Sequence, residues 1–498
     1  MNWNRSIRGL FLALVAAALV VWCGSWQRVE AQEHTGTGAQ QLAVPPLPGQ
    51  SHADFLKAAD EVLKQMSEIL HLAPKGELKK SIRSREEIRK YVLKDFEKEK
   101  EKEGRLADEL MGKKLGLIPE DLDWEPFLLD LLTEQIAGLY DPKTREFYIA
   151  DWIEPADQRE VMAHELTHAL QDEHFSIDAW TDAAKPNDDA EFARHAVLEG
   201  SAFAAMLDWQ FRDKGISVRE SPDLDKLLDP AMMTGGQKDS KFDAAPQFVR
   251  DTLLFPYLSG AVFTQALLRQ YDGWKGFNRV FEHPPASTQQ ILHPDLYLRE
   301  VKPVKVTLPG LPAAAAPQWK KLEASVGGEF LVLEWLKEFS GAARATELAS
   351  AWTGDEYAIY AEAKPAAGKK LPRSLLVWRI ATASDDNAAR LFGGISQALQ
   401  MRYEERTALL RRPNYFEFQT PQGGVFLRCV AAECLVVDGA DRATYDELTR
   451  AIGWPAAPAQ PRRAEGDQIA RVTARLPQLV AGRAPIESET RTAPWRSP

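Results

Sequence analysis

Residues 164 to 168 read His164-Glu165-Leu166-Thr167-His168. On an α-helix, two histidines four residues apart share a face. The surrounding residues read as such a helix. The two imidazoles can then reach one metal ion such as Zn²⁺, with the glutamate alongside as the expected general base for a water on the metal. Histidine is scarce, 9 in 498 residues, so chance seldom writes such a motif. No Pro or Gly interrupts Val161 to Leu170, and Met162, Leu166, Ala169 and Leu170 form an apolar stripe. Asp157 and Glu160 have the spacing of a capping box that starts the helix. The competing explanation is a helix whose histidines merely cap or pair.

Catalytic zinc takes three protein ligands. Candidates downstream of His168 are Asp172, Glu173, His174, Asp178, Glu191, His195 and Glu199. Glu199 is the expected ligand. It lies in an apolar stretch, Ala196 to Ala202, of a helical pattern from Asp189 to Arg212, with Asp188 or Asp189 as cap. A carboxylate there is costly to bury unless it is paired or binds a metal. Gly200 and Ala202 are small and let this helix approach the histidine helix. His195 shares a face with Glu199 and is the rival ligand or a group behind the metal. Asp172 is placed to orient an imidazole through its free N–H, with a solvated surface acid as the alternative.

These residues resemble the gluzincin class, HExxH with a downstream Glu. His164 to Phe175 with Leu198-Glu199-Gly200, then Phe255 to Gly260 and Pro284 to Pro294, look like a group of exported, little-characterised bacterial metallopeptidases of that class. The likeness spans about residues 130 to 300, and a looser one covers Trp352 to Tyr360. It implies zinc, a zincin-like fold and an envelope location, and no particular substrate. The thermolysin-type Glu-x-x-x-Asp is absent, because position 203 is Phe.

The rest of the chain sets the frame. Arg5 and Arg8 precede an apolar run from Leu10 to Trp22, the size of a signal-peptide core and short for a membrane span. Cleavage is expected after Ala31. The alternatives are an uncleaved segment, the one route expected to a membrane, and a lipoprotein at Cys23. Residues 32–50 read as a linker. Residues 51–305 read as a mainly helical zincin-like domain, with 51–120 as its helical N-terminal part. Within it Gly138 to Ile149 reads as a hairpin turning at Asp141-Pro142, and Phe147 to Ala150 is the expected free edge for an extended peptide.

His293, at the end of a short helix capped by Ser287 or Thr288, and Tyr257 are the expected oxyanion donors, with buried core residues as the plainer alternative. Residues 306–455 read as a smaller α+β domain with an antiparallel sheet. Helices are expected over 317–339 and 385–403, and strands over 356–363, 374–382, 415–419, 425–430 and 434–437. The fold class is thus α+β. Cys429 and Cys434 flank a tight hairpin and are expected to pair as a disulfide. Residues 456–498 read as a disordered tail with a short helix over 469–480. The net charge of −11 and the lack of a basic stripe argue against nucleic acid. The expected function is a zinc metallopeptidase acting on a peptide or protein. A metal-stabilised binding protein without turnover is the alternative from another class, and a non-peptide amidase using the same site is a third.

Overall fold

The structure is a computed structural model, and it describes residues 52–96, 99–153, 158–228, 240–365 and 368–458. The expected signal segment, linker, Asp157 cap and helix 469–480 lie outside them. All described residues belong to one compact unit ending at Pro458. Among them no helix is long and apolar enough to cross a membrane.

The first half is helical. Its long helices are α1 (His52–Leu70), α2 (Arg85–Phe96), α3 (Glu99–Leu115), α4 (Trp124–Gln135), α5 (Gln158–Phe175), α6 (Asp188–Phe211) and α7 (Gln247–Gln270). A small sheet of β1 (Lys79–Arg83), β2 (Gly138–Asp141) and β3 (Glu146–Ala150) lies between them in sequence. The second half holds β4 (Trp319–Ser325), α8 (Gly328–Ser340), α9 (Ala342–Ala349), β5 (Trp352–Glu362) and β6 (Ser374–Thr382). It continues with α10 (Asp385–Arg402), β7 (Thr407–Arg412), β8 (Tyr415–Thr420), β9 (Gly423–Val430), β10 (Glu433–Ala440) and α11 (Arg442–Ala451). The chain is α+β, with a seven-stranded sheet in the order β4-β5-β6-β10-β9-β8-β7, every pair antiparallel. Its central strands are buried along nearly their whole length, because apolar cores cover both faces.

Four expectations about elements change. The hairpin turns where expected, with Asp141 Oδ1 accepting the Lys143 N–H at 3.0 Å. However, β3 is the central strand of its sheet, flanked by β2 and, in parallel, by β1. Phe147 to Ala150 therefore has no free edge, and β1 is a strand the periodicity did not reveal. The helix expected over 317–339 is a strand followed by a helix, broken at Gly327-Gly328, where Gly328 takes φ 77°. The helix bearing Glu199 is capped by Asn187, whose side chain accepts the Ala190 N–H at 3.0 Å, and not by Asp188 or Asp189. Finally, α3 does not join the helical half. Its Ala107, Leu110, Met111 and Leu115 pack into the core beneath the large sheet.

The helical half is knitted around α6. The α7 helix crosses it at a glycine pair: a Cβ at Gly200 would sit 2.0 Å from the Gly260 carbonyl carbon. A Cβ at Gly260 would sit 2.1 Å from Ala196 O. Gly200 thus serves contact with α7, where closeness to the histidine helix was expected. Glu199, its neighbour in sequence, is fixed in position by that crossing.

Candidate metal centre

Helix α5 carries His164, Glu165 and His168, and it is buried on every side, from Val161 through Gln171. Helix α6 supplies Glu199. The three candidate ligands converge. His164 Nε2 stands 3.1 Å from Glu199 Oε2, His168 Nε2 stands 3.5 Å from the same oxygen, and the two Nε2 atoms are 3.2 Å apart. Ligand atoms about 2.0–2.1 Å from one tetrahedral ion lie about 3.3–3.4 Å from one another. The triangle matches one face of such a tetrahedron. Among the described residues this is the one group of three such side chains close enough to share a cation.

The groups are also left wanting by the protein alone. Glu199 is 1% exposed, yet its Oε1 has no hydrogen-bond partner. Two ring nitrogens that face each other share one proton at best, and a buried polar atom without a partner costs about 1–3 kcal/mol. Burial pushes the Glu199 carboxyl up, but the charges and hydrogen bonds of the two imidazoles outweigh it and bring its pKa to about 2. Burial pulls the His168 imidazole down, yet the Glu199 carboxylate wins and holds it above its usual value. The site is thus a buried anion facing two imidazoles, a donor set that suits zinc.

Glu165 points to the hairpin. Its Oε2 accepts the Tyr140 N–H at 2.9 Å. Burial raises its pKa, opposed in part by the nearby imidazoles. A raised carboxyl is a better proton carrier near neutrality. Strand β2 reaches Glu165 because residue 138 is glycine: a Cβ there would lie 2.6 Å from Val161 Cγ1 and 3.3 Å from Glu165 Cγ.

The other expected residues divide. Tyr257 is with the triad, its ring stacked near His164 at 5.8 Å between centroids. His195 is beside Glu199 on α6 but outside the triad, 3.9 Å from Glu191 Oε1. Asp172 does not orient an imidazole. It accepts from Tyr140 Oη at 2.8 Å and from the Ile177 N–H at 3.1 Å, while Nδ1 of both His164 and His168 has no hydrogen-bond partner. Gln171, one turn past His168 on the same helix, adds a small push toward the protonated ring. Gln171 Nε2 donates to Ser201 Oγ at 2.8 Å, which ties α5 to the Glu199 helix. His293 ends its short helix as expected, but Ser287 gives no side-chain cap. Its Nε2, the atom an oxyanion role would use, is bound to Glu329 Oε1 at 2.8 Å, and that bond raises its pKa. Cys429 and Cys434 face each other across the β9–β10 hairpin and form a disulfide.

Sequence reasoning missed Gly138, Gln171, Ser201 and Gly260. The spacing of Gln171, three residues past His168 on the same helix face, was the available signal. Compared with family models, with curated proteins and with solved structures, the chain matches none.

Proposed function

We propose that the protein is an exported zinc-dependent metallopeptidase, with His164, His168 and Glu199 as metal ligands and Glu165 as general base. The observation that carries this reading is the triangle of 3.1, 3.2 and 3.5 Å among three buried ligand atoms, with Glu165 next in the chain. A purely structural cluster has no use for that glutamate. Zinc bound there supplies Lewis acidity toward water and a carbonyl oxygen. Glu165 Oε2 is held by the Tyr140 N–H, which leaves Oε1 to take a proton from water and pass it to the leaving amide nitrogen. Tyr257 stands beside His164 as the donor for the oxyanion. The hairpin disulfide and the apolar N-terminal run support export.

Glu165→Gln tests the assignment. Zinc content stays at the wild-type level, while cleavage of a mixed peptide library falls by about 10²- to 10⁴-fold. Wild-type cleavage by this variant excludes Glu165 as the base. A second reading, a metal-stabilised binding protein without turnover, has one observation in its favour: His164 and His168 are only 2% and 5% exposed. Stoichiometric zinc with no cleavage of any peptide by the wild type selects it.

A further inference from the structure

One face of α6 continues from the metal centre into a cavity. Asp188, Phe192, His195 and Glu199 line it, at the spacing of residues that share a helix face. Its volume is about 140 Å³. That is close to the size of a dry protein cavity that admits a benzene ring, about 150 Å³. The opposite walls are mostly apolar, with Val249 and Pro256 of α7 and Phe330 of α8 among them, and Asp108 and Glu323 also reach the lining. No lysine or arginine lines it among the described residues. Buried polar atoms without a hydrogen-bond partner on the wall are Trp124 Nε1, Asp189 Oδ2, Glu199 Oε1 and both ring nitrogens of His195. His195 is 4% exposed, and neither ring nitrogen has a hydrogen-bond partner. It stands one turn before Glu199, about 6 Å along the axis.

The acid nearest His195, Glu191 Oε1, is 3.9 Å from Nε2, beyond hydrogen-bond reach, and a buried imidazole whose nitrogens make no hydrogen bond costs free energy. A ligand that brings a peptide group to His195 and an apolar group to the cavity satisfies both features at once. We propose that this cavity is the specificity pocket for one large apolar side chain of the substrate, of the size of leucine, methionine or phenylalanine, and that His195 hydrogen-bonds the peptide group next to it. The proposal rests on the peptidase reading for the identity of the ligand as a peptide. Anionic side chains are excluded because the wall carries carboxylates and no cation to meet them. Small side chains leave the volume unfilled and lose the contact it offers.

The test uses the full chain with zinc and the Glu165→Gln substitution, so that ligands bind without being cut. The probes are the N-acetyl amides of phenylalanine, alanine, aspartate and lysine, with binding followed by NMR. The phenylalanine compound binds at least 10-fold tighter than the other three. Val249→Trp fills the pocket and removes that preference, and Phe330→Ala takes away part of the wall and weakens binding of the phenylalanine compound toward that of the other three. His195→Ala weakens every N-acetyl amide by a similar factor, with zinc content unchanged. Four probes that bind alike, with neither wall substitution altering them, overturn the proposal. Cleavage of the peptide library by the wild-type protein is measured in parallel. Selective binding without cleavage sinks the peptidase reading and leaves the pocket standing. Cleavage with no preference for a large apolar residue beside the cut bond overturns the pocket alone.

Discussion

At the scale of single residues, the centre depends on side chains that hold ligands in place as much as on the ligands. Gln171 and Ser201 connect the two ligand-bearing helices. Groups behind a metal ligand commonly change affinity by about 10- to 100-fold when removed. Gln171→Ala is therefore expected to weaken zinc by that factor in a chelator competition titration. An unchanged affinity makes Gln171 a packing residue only. The convergence of the triad was legible in the chain: His164 and His168 through their spacing, Glu199 through the cost of burying an acid among Ala196, Val197 and Leu198. The supporting groups were not. Asp172 and Gln171 are adjacent in sequence, and which of them faces the imidazole depends on Tyr140, contributed by a distant hairpin that claims Asp172.

At the scale of elements, the decisive contact is the crossing of α6 and α7. Any Cβ at position 260 meets the Ala196 carbonyl at 2.1 Å, a backbone atom that cannot swing aside. Overpacking of this kind costs about 1–3 kcal/mol or more. Gly260→Ala is expected to lower Tm by several degrees and to reduce zinc retention, since Glu199 adjoins the contact point. Retention of wild-type Tm and zinc content shows that the helices can part without disturbing the ligand. The glycine pair joins residues 60 positions apart in the chain, which is why its meaning was hidden. Pro256 lies inside α7. Proline usually ends a helix, yet α7 runs through it from Gln247 to Gln270, and Pro256 lines the cavity wall. The strand β4 was misread for a related reason: the pairing with β5 that makes Trp319 to Ser325 a strand is a tertiary contact, absent from local pattern.

At the scale of the whole molecule, the helical and sheet halves are joined through buried acids. Asp189, on the helical side, accepts from the Thr288 N–H and hydroxyl, and the Thr288 hydroxyl oxygen accepts from the Phe330 N–H. Asp188 accepts from Tyr357 Oη of the large sheet. Burial, with Asp355 and Glu329 close by, pushes the Asp189 carboxyl up to about 7. Burial and Asp251 push Glu334 up to about 8. Both acids bind their protons more tightly in the folded chain than in the unfolded one. The stability these two acids contribute is therefore fully present below about pH 4 and declines as pH rises from there to about 8. Glu199 adds little slope there, because its depressed pKa lies below that window. Tm is expected to be higher at pH 6 than at pH 8.5, and Asp189→Asn, which keeps the acceptor for Thr288, reduces the difference. A Tm that rises over this range contradicts the assignment.

The central claim is that three side chains from two helices close on a single divalent cation. Diffraction from zinc-soaked crystals, collected on either side of the zinc absorption edge, reads this without reference to activity. The account predicts one anomalous peak about 2.0–2.1 Å from His164 Nε2, His168 Nε2 and Glu199 Oε2 together. A peak bound elsewhere, or none at this triangle, contradicts it.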